Sequence, residues 1–518
     1  MVVNKIKKTI VIRVDASTPM GIGHVMRCLT LAAKLNTDEH RIIFLCKQHH
    51  GHLNDYIESS GFEVIALSSP VNSFKSQHNE QLWLGCHYQD DAKECLQYIQ
   101  NSKLKKIDLL IVDHYSLDYR WQDLLRPLCE KIMVIDDLAN REHHCDILLD
   151  QTFGRHQQDY HQLIPKHCTL LLGKEYMLLR DEFYQARAVA ERDRLNSRPH
   201  KPNHILISLG GTDPDNIASS ILYWLISIKA DFDQLNVFLV ANANSSFLSE
   251  LNTIAQKHPW IKIVTKPPSM ATLMLNADIA IGSSGATAWE RCCLGLPSLS
   301  IISADNQQLV SKNLMDAGAC VSLGYFEKLQ KQTFIEAFTL LFNNKKYYQK
   351  MVQQSFNCCD GLGAEKVAKK IAQKIAVVEL RNATINDKEM TFEWQSIENI
   401  RQYFEQPTIP TKNEHWHWFE SNLADPTSSL YIIHYNNVPV GTLRLDEQSP
   451  NEYTISILVI PSEQGKGIAL SALNKAAKLK ENGLFFASIH KDNINSIKVF
   501  QKAGFVAISE SRYCLKIK

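Results

Sequence analysis

The sequence predicts an α/β protein in which two Rossmann-like domains precede a third, smaller α/β domain. The first observation is that apolar strand candidates alternate with helical segments from Ile10 to about residue 150, as in parallel sheets covered by helices. The second is that the same alternation returns from Ile205 onward. The third is the length, because 518 residues exceed a single hydrophobic core. We therefore place the domains at residues 1–195, 196–378 and 379–518.

The composition is that of an ordinary globular protein, with 45% apolar residues, 21% charged residues and a formal net charge of +1. Lysine and arginine are scattered, which argues against a nucleic-acid partner. No apolar stretch approaches membrane-spanning length, and the start of the chain lacks the apolar core of a secretory signal. The thirteen cysteines and the clustered histidines show neither disulfide-framework nor ligand spacing. We expect a cytoplasmic protein with no metal and no membrane association.

The first candidate site follows the strand predicted at Ile10–Val14, where a loop with Gly21 and Gly23 leads into a helix. The glycines allow close approach of the backbone to a ligand, and a helix N-terminus favours an anion, so we expect a phosphorylated or charged substrate. His24 lies at this helix start. The helix dipole opposes imidazolium there, and a neutral imidazole can accept a proton. The alternatives are a purely structural turn and a dinucleotide fingerprint, although the third glycine of that fingerprint is missing.

Four acidic residues each follow an apolar run in the first domain: Asp15, Asp113, Asp136 and Asp137. In a parallel sheet, the strand ends that they follow meet at one edge, which is where ligands of such sheets bind. Each residue taken singly is better explained as a helix cap. Four of them at one edge, beside His24, favour a functional site.

The second domain repeats this pattern. The strand His204–Leu209 ends in a loop that contains Gly210 and Gly211, and a second glycine loop ends at Gly285. Backbone donors at such strand-to-helix loops suit a diphosphate. Glu290, one turn into the next helix, could accept hydrogen bonds from a ribose diol, although an exposed helical glutamate is the more common case.

Together with several short motifs, these loops resemble a known family, the UDP-sugar hydrolases of pseudaminic acid biosynthesis, which are related to the MurG-like GT-B glycosyltransferases. The matching motifs, in chain order, are Arg13-x-Asp15, Gly23-His24-x-x-Arg27, Leu172-Gly173, Tyr176-x-Leu178-Leu179-Arg180, Gly210-Gly211-x-Asp213, Trp289-Glu290-Arg291, Gly295-Leu296-Pro297 and Asn306-Gln307. They cover about the first 350 residues. The resemblance implies a GT-B arrangement of the first two domains, closed by a return helix.

The resemblance also implies that UDP lies on the second domain, with the sugar projecting toward His24. The substrate-binding residues would then be Gly21, Gly23, Arg27, Gly210, Gly211, Gly285 near the diphosphate, Glu290 at the ribose, and Gln307. We predict that His24 is the general base that activates water and that Asp15 orients its imidazole. Asn306 is the predicted donor to the sugar or to the leaving diphosphate.

The third domain carries a second phosphate cradle, because the strand Tyr453–Ile460 runs through a glycine loop into a helix. The loop and the later segment from Asn493 through Phe500 to Phe505 resemble the acyl-CoA motif and the closing segment of the GNAT N-acetyltransferases. The resemblance implies acetyl-CoA as co-substrate. Its predicted contacts are Val459, Gln464, Gly465, Gly467, Ala469 and Asn493.

Two features of this domain leave questions open. His415 and His417 lie in an aromatic helical stretch and cannot both face inward, and we expect one of them to meet the acceptor. Phe500 stands where many superfamily members have a tyrosine that protonates the CoA thiolate. That proton could come from Tyr513, from Ser496 or from water, or the step needs no dedicated acid.

The two resemblances imply a bifunctional enzyme that uses a UDP-amino-sugar and acetyl-CoA. The C-terminal domain would acetylate the 4-amino group of the UDP-linked sugar. The GT-B half would then hydrolyse UDP from UDP-2,4-diacetamido-2,4,6-trideoxy-beta-L-altropyranose. The alternatives for the first half are a glycosyltransferase that uses the same fold and a non-catalytic UDP-sugar-binding half that feeds the acetyltransferase.

Overall fold

A computed structural model describes residues 7–37, 39–69, 83–102, 106–196, 202–210, 213, 215–232, 234–243, 245–375, 378–398, 400–404, 406–436, 438–480 and 483–517. The predicted phosphate-loop residue Gly211 lies outside these ranges. The chain forms two compact units, Met1–Lys370 and Ile371–Lys518. The proposed division of the first unit near residue 195 remains a prediction.

The first unit begins with a seven-stranded, fully parallel sheet in the order β3-β2-β1-β4-β5-β6-β7. Its strands are β1 (Lys8–Val14), β2 (His40–Lys47), β3 (Glu63–Leu67), β4 (Ile107–Asp113), β5 (Cys129–Ile135), β6 (Ile147–Asp150) and β7 (Thr169–Leu172). The helices between them are α1 (Gly23–Leu35), α2 (Asn54–Ser59), α3 (Tyr88–Asn101) and α4 (Tyr119–Leu125).

A second, six-stranded parallel sheet follows, in the order β10-β9-β8-β11-β12-β13. Its strands are β8 (His204–Ser208), β9 (Asn236–Val240), β10 (Ile261–Val264), β11 (Ile279–Ser283), β12 (Ser298–Ile302) and β13 (Val321–Tyr325). Its helices are α5 (Asp181–Asn196), α6 (Ile217–Ile228), α7 (Leu248–Lys257), α8 (Met270–Asn276), α9 (Ala286–Cys293), α10 (Gln308–Asp316), α11 (Lys331–Asn343), α12 (Lys345–Cys358) and α13 (Gly363–Ile375).

Continuous apolar runs produce both parallel sheets. Ile10, Val11 and Ile12 of β1 are all fully buried, and so are Ile279 and Ile281 of β11. Strands covered by helices on both faces read as unbroken apolar runs rather than as alternating ones. The polar residues that follow these runs therefore stand at the carboxyl edge of each sheet, where the chain leaves the core.

The C-terminal unit has one mixed sheet in the order β14-β15-β16-β17-β18-β20-β19. Its strands are β14 (Val378–Asn382), β15 (Ser428–Tyr435), β16 (Val438–Ser449), β17 (Glu452–Val459), β18 (Leu484–Ser488), β19 (Val506–Ala507) and β20 (Arg512–Lys516). Its helices are α14 (Lys388–Gln395), α15 (Lys412–Ala424), α16 (Ile468–Lys478) and α17 (Ile494–Lys502).

Strands β17 and β18 are the only parallel neighbours among the described strands of this unit, and they pair only from Glu452 to Thr454 on β17. Beyond Thr454, β17 continues to Val459 and pairs with β16 alone. This half of β17 therefore leaves backbone groups free of β18 directly before the Gln464 loop. The observed sheets confirm the predicted α/β class. Within the described ranges, no helix combines the length and the apolarity that crossing a bilayer requires.

Candidate active site

His24 is the second residue of α1 and lies against the end of β4. Its Nδ1 is 2.7 Å from Oδ1 of Asp113, and the residue is only 9% exposed. Arg27 Nη2 lies 3.2 Å from the same nitrogen, but the shorter contact is with the ionised carboxylate, which can only accept, so we assign the proton to Nδ1 as the donor to Asp113. The other ring nitrogen, Nε2, then keeps its lone pair. The arrangement is that of an oriented imidazole base.

Arg27, one turn further along α1, fixes the same carboxylate. Its Nε and Nη2 donate to the two oxygens of Asp113 at 2.6 and 2.7 Å, and its Nη1 donates to Asp137 at 2.5 Å. Burial alone would raise the pKa of Asp113, but the charges of Arg27 and His24 lower it well below its ordinary value. Asp113 is therefore ionised throughout the neutral range, as the orienting role requires.

Two aromatic rings enclose the imidazole. Tyr115 lies edge-on to His24 with ring centres 4.7 Å apart, and Trp83 lies edge-on at 6.3 Å. The two rings stack on each other at 5.6 Å, and the Tyr115 hydroxyl donates to Asp137 at 2.7 Å. This wall limits the access of bulk water to the base, which strengthens the electrostatic interactions around it.

The prediction that Asp15 orients His24 is wrong, because Asp113 holds that position. Asp15 is fully buried, and its Oδ1 accepts from Arg13 Nη1 at 2.6 Å and from the Lys47 backbone N–H at 2.7 Å. Its Oδ2 faces two further buried imidazoles, those of His114 at 3.3 Å and His49 at 3.5 Å. Asp15 thus anchors the strand end from which the loop to His24 departs.

The carboxyl edge of the first sheet also carries Asp150, which was not among the predicted acidic residues. The Tyr160 hydroxyl is 2.8 Å from Asp136 and 2.8 Å from Asp150, the last residue of β6. Burial and the charge of Asp137 raise the pKa of Asp150 to about 6. Asp150 follows an apolar run just as the other four do, so the same signal could have found it.

On the second sheet, the two glycine loops meet around Ser283, the last residue of β11. A Cβ built on Gly210 would lie 3.8 Å from the Ser283 hydroxyl, and one built on Gly285 would lie 3.9 Å from it. The Gln307 amide nitrogen would lie 3.7 Å from that same Cβ built on Gly285. The structure therefore brings three of the predicted substrate-binding residues, Gly210, Gly285 and Gln307, together at the carboxyl edge. Asn306 is exposed in a short 3₁₀ helix, Asp305–Gln307.

Glu290 is buried, contrary to the common case of an exposed helical glutamate. It is 9% exposed, and its Oε1 accepts a hydrogen bond from Arg180 Nη2 at 3.1 Å. Its Oε2 is buried and has no hydrogen-bond partner among the described residues. A buried carboxylate oxygen without a donor is costly, so a ligand hydroxyl at this point would satisfy it.

In the C-terminal unit, the Gln464 loop forms an open cradle. Gly465 and Gly467 have φ values of +79° and +80°, and no atom lies within 4 Å of a Cβ built on either one. The Gln464 side-chain amide donates to the Val459 carbonyl at 2.9 Å and closes the loop on the strand end. Gly467 then caps α16. The cradle fits a pyrophosphate, because its amides are unobstructed at a helix N-terminus.

The other predicted contacts of this unit have partly structural surroundings. The Asn493 Oδ1 caps α17 by accepting from Ser496 N at 3.1 Å, and Ala469 packs beside the core. His415 is buried with its Nε2 3.1 Å from the Thr391 hydroxyl, whereas His417 is exposed. The prediction that the two histidines cannot both face inward is confirmed. Their role at the acceptor remains a prediction.

Tyr513, the aromatic candidate for proton donation, is not openly accessible, and neither is Phe500, which stands at the usual tyrosine position. Phe500 and Tyr513 are 4% and 5% exposed and belong to the same apolar core. Among the described residues there is no group of three His, Cys, Asp or Glu side chains placed to hold a metal ion.

Two models of known protein families match separate parts of this chain. Residues 224–375 match the glycosyltransferase family 28 C-terminal domain, and residues 378–506 match the acetyltransferase (GNAT) domain. An uncharacterized protein of Methanocaldococcus jannaschii is 27% identical over 522 residues, which is 97% of this chain and 98% of that protein.

A UDP-2,4-diacetamido-2,4,6-trideoxy-beta-L-altropyranose hydrolase of Campylobacter jejuni is 27% identical over 318 residues, 61% of this chain and 99% of that protein. The crystal structure of Acinetobacter baumannii MurG covers 71% of this chain and 99% of its own, with a TM-score of 0.50 and 15% identity. These similarities confirm the predicted fusion of a hydrolase-like half with a MurG-like fold and a GNAT domain.

Proposed function

We propose that the chain is a bifunctional enzyme of nucleotide-sugar metabolism. Its first unit hydrolyses the sugar–UDP bond of UDP-2,4-diacetamido-2,4,6-trideoxy-beta-L-altropyranose, and its second unit acetylates the 4-amino group of the UDP-amino-sugar precursor. The observation that supports hydrolysis best is the His24–Asp113 pair, an imidazole with one nitrogen fixed and the other free to accept a proton. The similarity to the Campylobacter jejuni hydrolase supports the choice of substrate.

In the hydrolytic step, His24 Nε2 takes a proton from a water molecule while the water oxygen attacks the anomeric carbon. The bond between that carbon and the diphosphate oxygen breaks, and UDP leaves with the bonding electrons. Asp113 stabilises the imidazolium that forms, as the aspartate does in a serine-protease triad. The sugar carbon passes through an oxocarbenium-like state, so positive charge develops on the anomeric carbon and ring oxygen while negative charge develops on the leaving diphosphate.

The second sheet supplies the donors for that leaving charge. Backbone amides at Gly210 and Gly285 and the Gln307 side chain are close enough to one another to share one diphosphate. Glu290 accepts from the ribose diol through its unpaired oxygen. Asn306, exposed beside Gln307, donates to the sugar or to the leaving group.

In the acetylation step, the backbone amides of the Gly465–Gly467 cradle hold the pyrophosphate of acetyl-CoA. The free half of β17 offers backbone groups to the pantetheine arm. The acceptor nitrogen bonds to the thioester carbonyl carbon, the carbon–sulfur bond breaks with its electron pair going to the CoA sulfur, and water carries the proton lost by the amine to the departing thiolate. The side chain of Phe500 cannot protonate that thiolate, and Tyr513 is buried in the core.

The test for hydrolysis is incubation of the full chain with UDP-diacetamido-trideoxy-altrose in H₂¹⁸O without a sugar acceptor. We expect release of UDP that carries no ¹⁸O, because water attacks carbon rather than phosphorus. UDP release that requires an added sugar acceptor would favour the glycosyltransferase alternative. Binding without release would favour the non-catalytic one.

A further inference from the structure

We propose that Arg180 is a positioning residue for the nucleotide site, where it pairs with the Glu290 carboxylate and aims it so that its free oxygen can accept from the ribose. The inference rests on the proposed function, because it takes UDP to lie on the second sheet. It adds a residue outside the glycine loops and outside α9. Arg180 lies directly before α5, on the segment that leaves the first sheet.

The two oxygens of Glu290 have different surroundings. Oε1 accepts from Arg180 Nη2 at 3.1 Å, whereas Oε2 is buried and has no hydrogen-bond partner among the described residues. Glu290 lies in α9 shortly after the N-cap residue Gly285, which is predicted to lie near the diphosphate. One oxygen is thus used to orient the carboxylate, and the other remains for a ligand hydroxyl.

Arg180 is itself held in place. Its Nη1 pairs with Glu182 Oε1 at 2.7 Å, and its guanidinium lies over the Phe183 ring at 5.1 Å. The other oxygen of Glu182 accepts from the Ser269 hydroxyl at 2.6 Å, at the N-terminal cap of α8. A guanidinium fixed on two sides can orient a carboxylate, which a freely rotating cation could not do.

Arg180 is the positively charged residue that pairs with Glu290. The charged groups that face Glu290 are Arg180, Glu182 and Arg291. Arg291 points its Nη2 to the Ser283 carbonyl at 2.7 Å and its Nη1 to the Thr287 hydroxyl, not to Glu290. Glu182 has the same charge as Glu290 and opposes ionisation. Burial raises the pKa of Glu290, and the neighbouring guanidinium of Arg180 counteracts this rise.

Loss of Arg180 should therefore make nucleotide binding sensitive to pH. Without the guanidinium, Glu290 gains a proton at a higher pH and loses the charge-assisted hydrogen bond to the ribose. In Arg180→Gln, the affinity for UDP should fall about tenfold more than in the wild type between about pH 8 and about pH 6. Arg180→Lys keeps the charge and should largely restore the wild-type profile.

The experiment is calorimetry of UDP binding to the full chain at several pH values in that range. The ratio of variant to wild-type Kd removes the titration of the UDP phosphate itself. Arg192→Gln is the matched control, because Arg192 is an exposed arginine of α5 that pairs only with its neighbour Asp193 among the described residues. It should follow the wild type. Circular dichroism establishes that each variant is folded, and Arg180→Met, which also removes the charge, replaces Arg180→Gln if that variant does not fold.

The outcomes distinguish the role of Arg180 from the placement of the ribose at Glu290. Glu290→Gln should weaken UDP binding and abolish the extra pH dependence when combined with Arg180→Gln. If Glu290→Gln weakens binding but Arg180→Gln shows the wild-type pH profile, the role given to Arg180 is overturned while the nucleotide site stands. If Glu290→Gln binds UDP as tightly as the wild type, the ribose placement in the proposed function fails, and the role of Arg180 fails with it.

Discussion

His24 is suited to act as a base because its hydrogen bond to Asp113 fixes the proton on Nδ1 and leaves Nε2 free to accept one. Since general bases contribute about 10²–10⁴-fold, His24→Ala should reduce hydrolysis by that order. UDP affinity should change little, because the proposed nucleotide contacts lie on the second sheet. Acetylation should be unchanged. UDP release, UDP calorimetry and thiol release from acetyl-CoA measure the three quantities. A folded His24→Ala protein that hydrolyses substrate at the wild-type rate would leave His24 a structural residue.

Asp113→Asn tests the orienting contact while preserving its shape. An amide nitrogen facing His24 Nδ1 would donate to it, which moves the imidazole proton to Nε2 and removes the lone pair that accepts from water. We expect hydrolysis to fall about 10²–10⁴-fold. Asp137→Asn is the matched control, since Asp137 contacts Arg27 and Tyr115 rather than the imidazole. Equal losses in both variants would contradict a specific role for Asp113.

The sequence could place Asp113 at the active edge but could not select it over Asp15. Both residues follow apolar runs, and parallel strands bring such ends together. The choice depends on the rotation of α1 about its axis, which turns His24 toward β4. Arg13 is the one residue in the sequence that points to a structural role for Asp15. Residues two apart on a strand point to the same side, so Arg13 can pair with Asp15 and neutralise its charge.

At the scale of elements, the connection between β5 and β6 introduces an acid-sensitive group. His143 is fully buried, and its Nδ1 accepts from the Gln122 side-chain amide at 2.9 Å. Burial lowers the pKa of His143 to about 4, although the charge of Asp136 opposes this effect. The folded chain thus favours the neutral imidazole, whereas the unfolded chain binds a proton near pH 6.5.

The sign of the resulting pH dependence follows directly. The stability that His143 contributes is fully present above about pH 6.5 and is lost as the pH falls toward about 4. Between about pH 7 and about pH 5, the free energy of unfolding should drop by about 2 kcal/mol from this residue. Urea unfolding of the wild type and of His143→Gln at both pH values measures it. An identical drop in the variant, which cannot gain that proton, would show that other groups cause it.

At the scale of the whole molecule, repeated strand–helix alternation made the layout of the chain predictable. The periodic signal predicted the two parallel sheets, and the local glycine motifs predicted where strand-to-helix loops with glycines follow the sheets. Contacts between distant segments were not predictable in this way. The pairing of Arg180 with Glu290 joins residues 110 positions apart and depends on how two helices pack. The burial of Glu290 follows from the same packing and reversed the expectation for a helical glutamate.

The division into two units predicts that the acetyl-CoA site works without the rest of the chain. A fragment of residues 371–518 contains every described strand of the mixed sheet and the Gly465–Gly467 cradle, so it should be soluble and bind acetyl-CoA as the full chain does. A start at Arg381 would remove most of β14, which pairs with β15 through five residue pairs from Val378 to Asn382. The shorter fragment should therefore melt at a lower temperature.

Gly467→Val provides the binding control for this fragment. The backbone at Gly467 has a φ of +80°, which valine adopts only with strain, and a side chain there would occupy the open space of the cradle. We expect calorimetry to show acetyl-CoA binding to the 371–518 fragment and none to its Gly467→Val form. A folded 371–518 fragment without affinity for acetyl-CoA would contradict the proposed role of the cradle in acetylation. This outcome does not depend on the activity of the first unit.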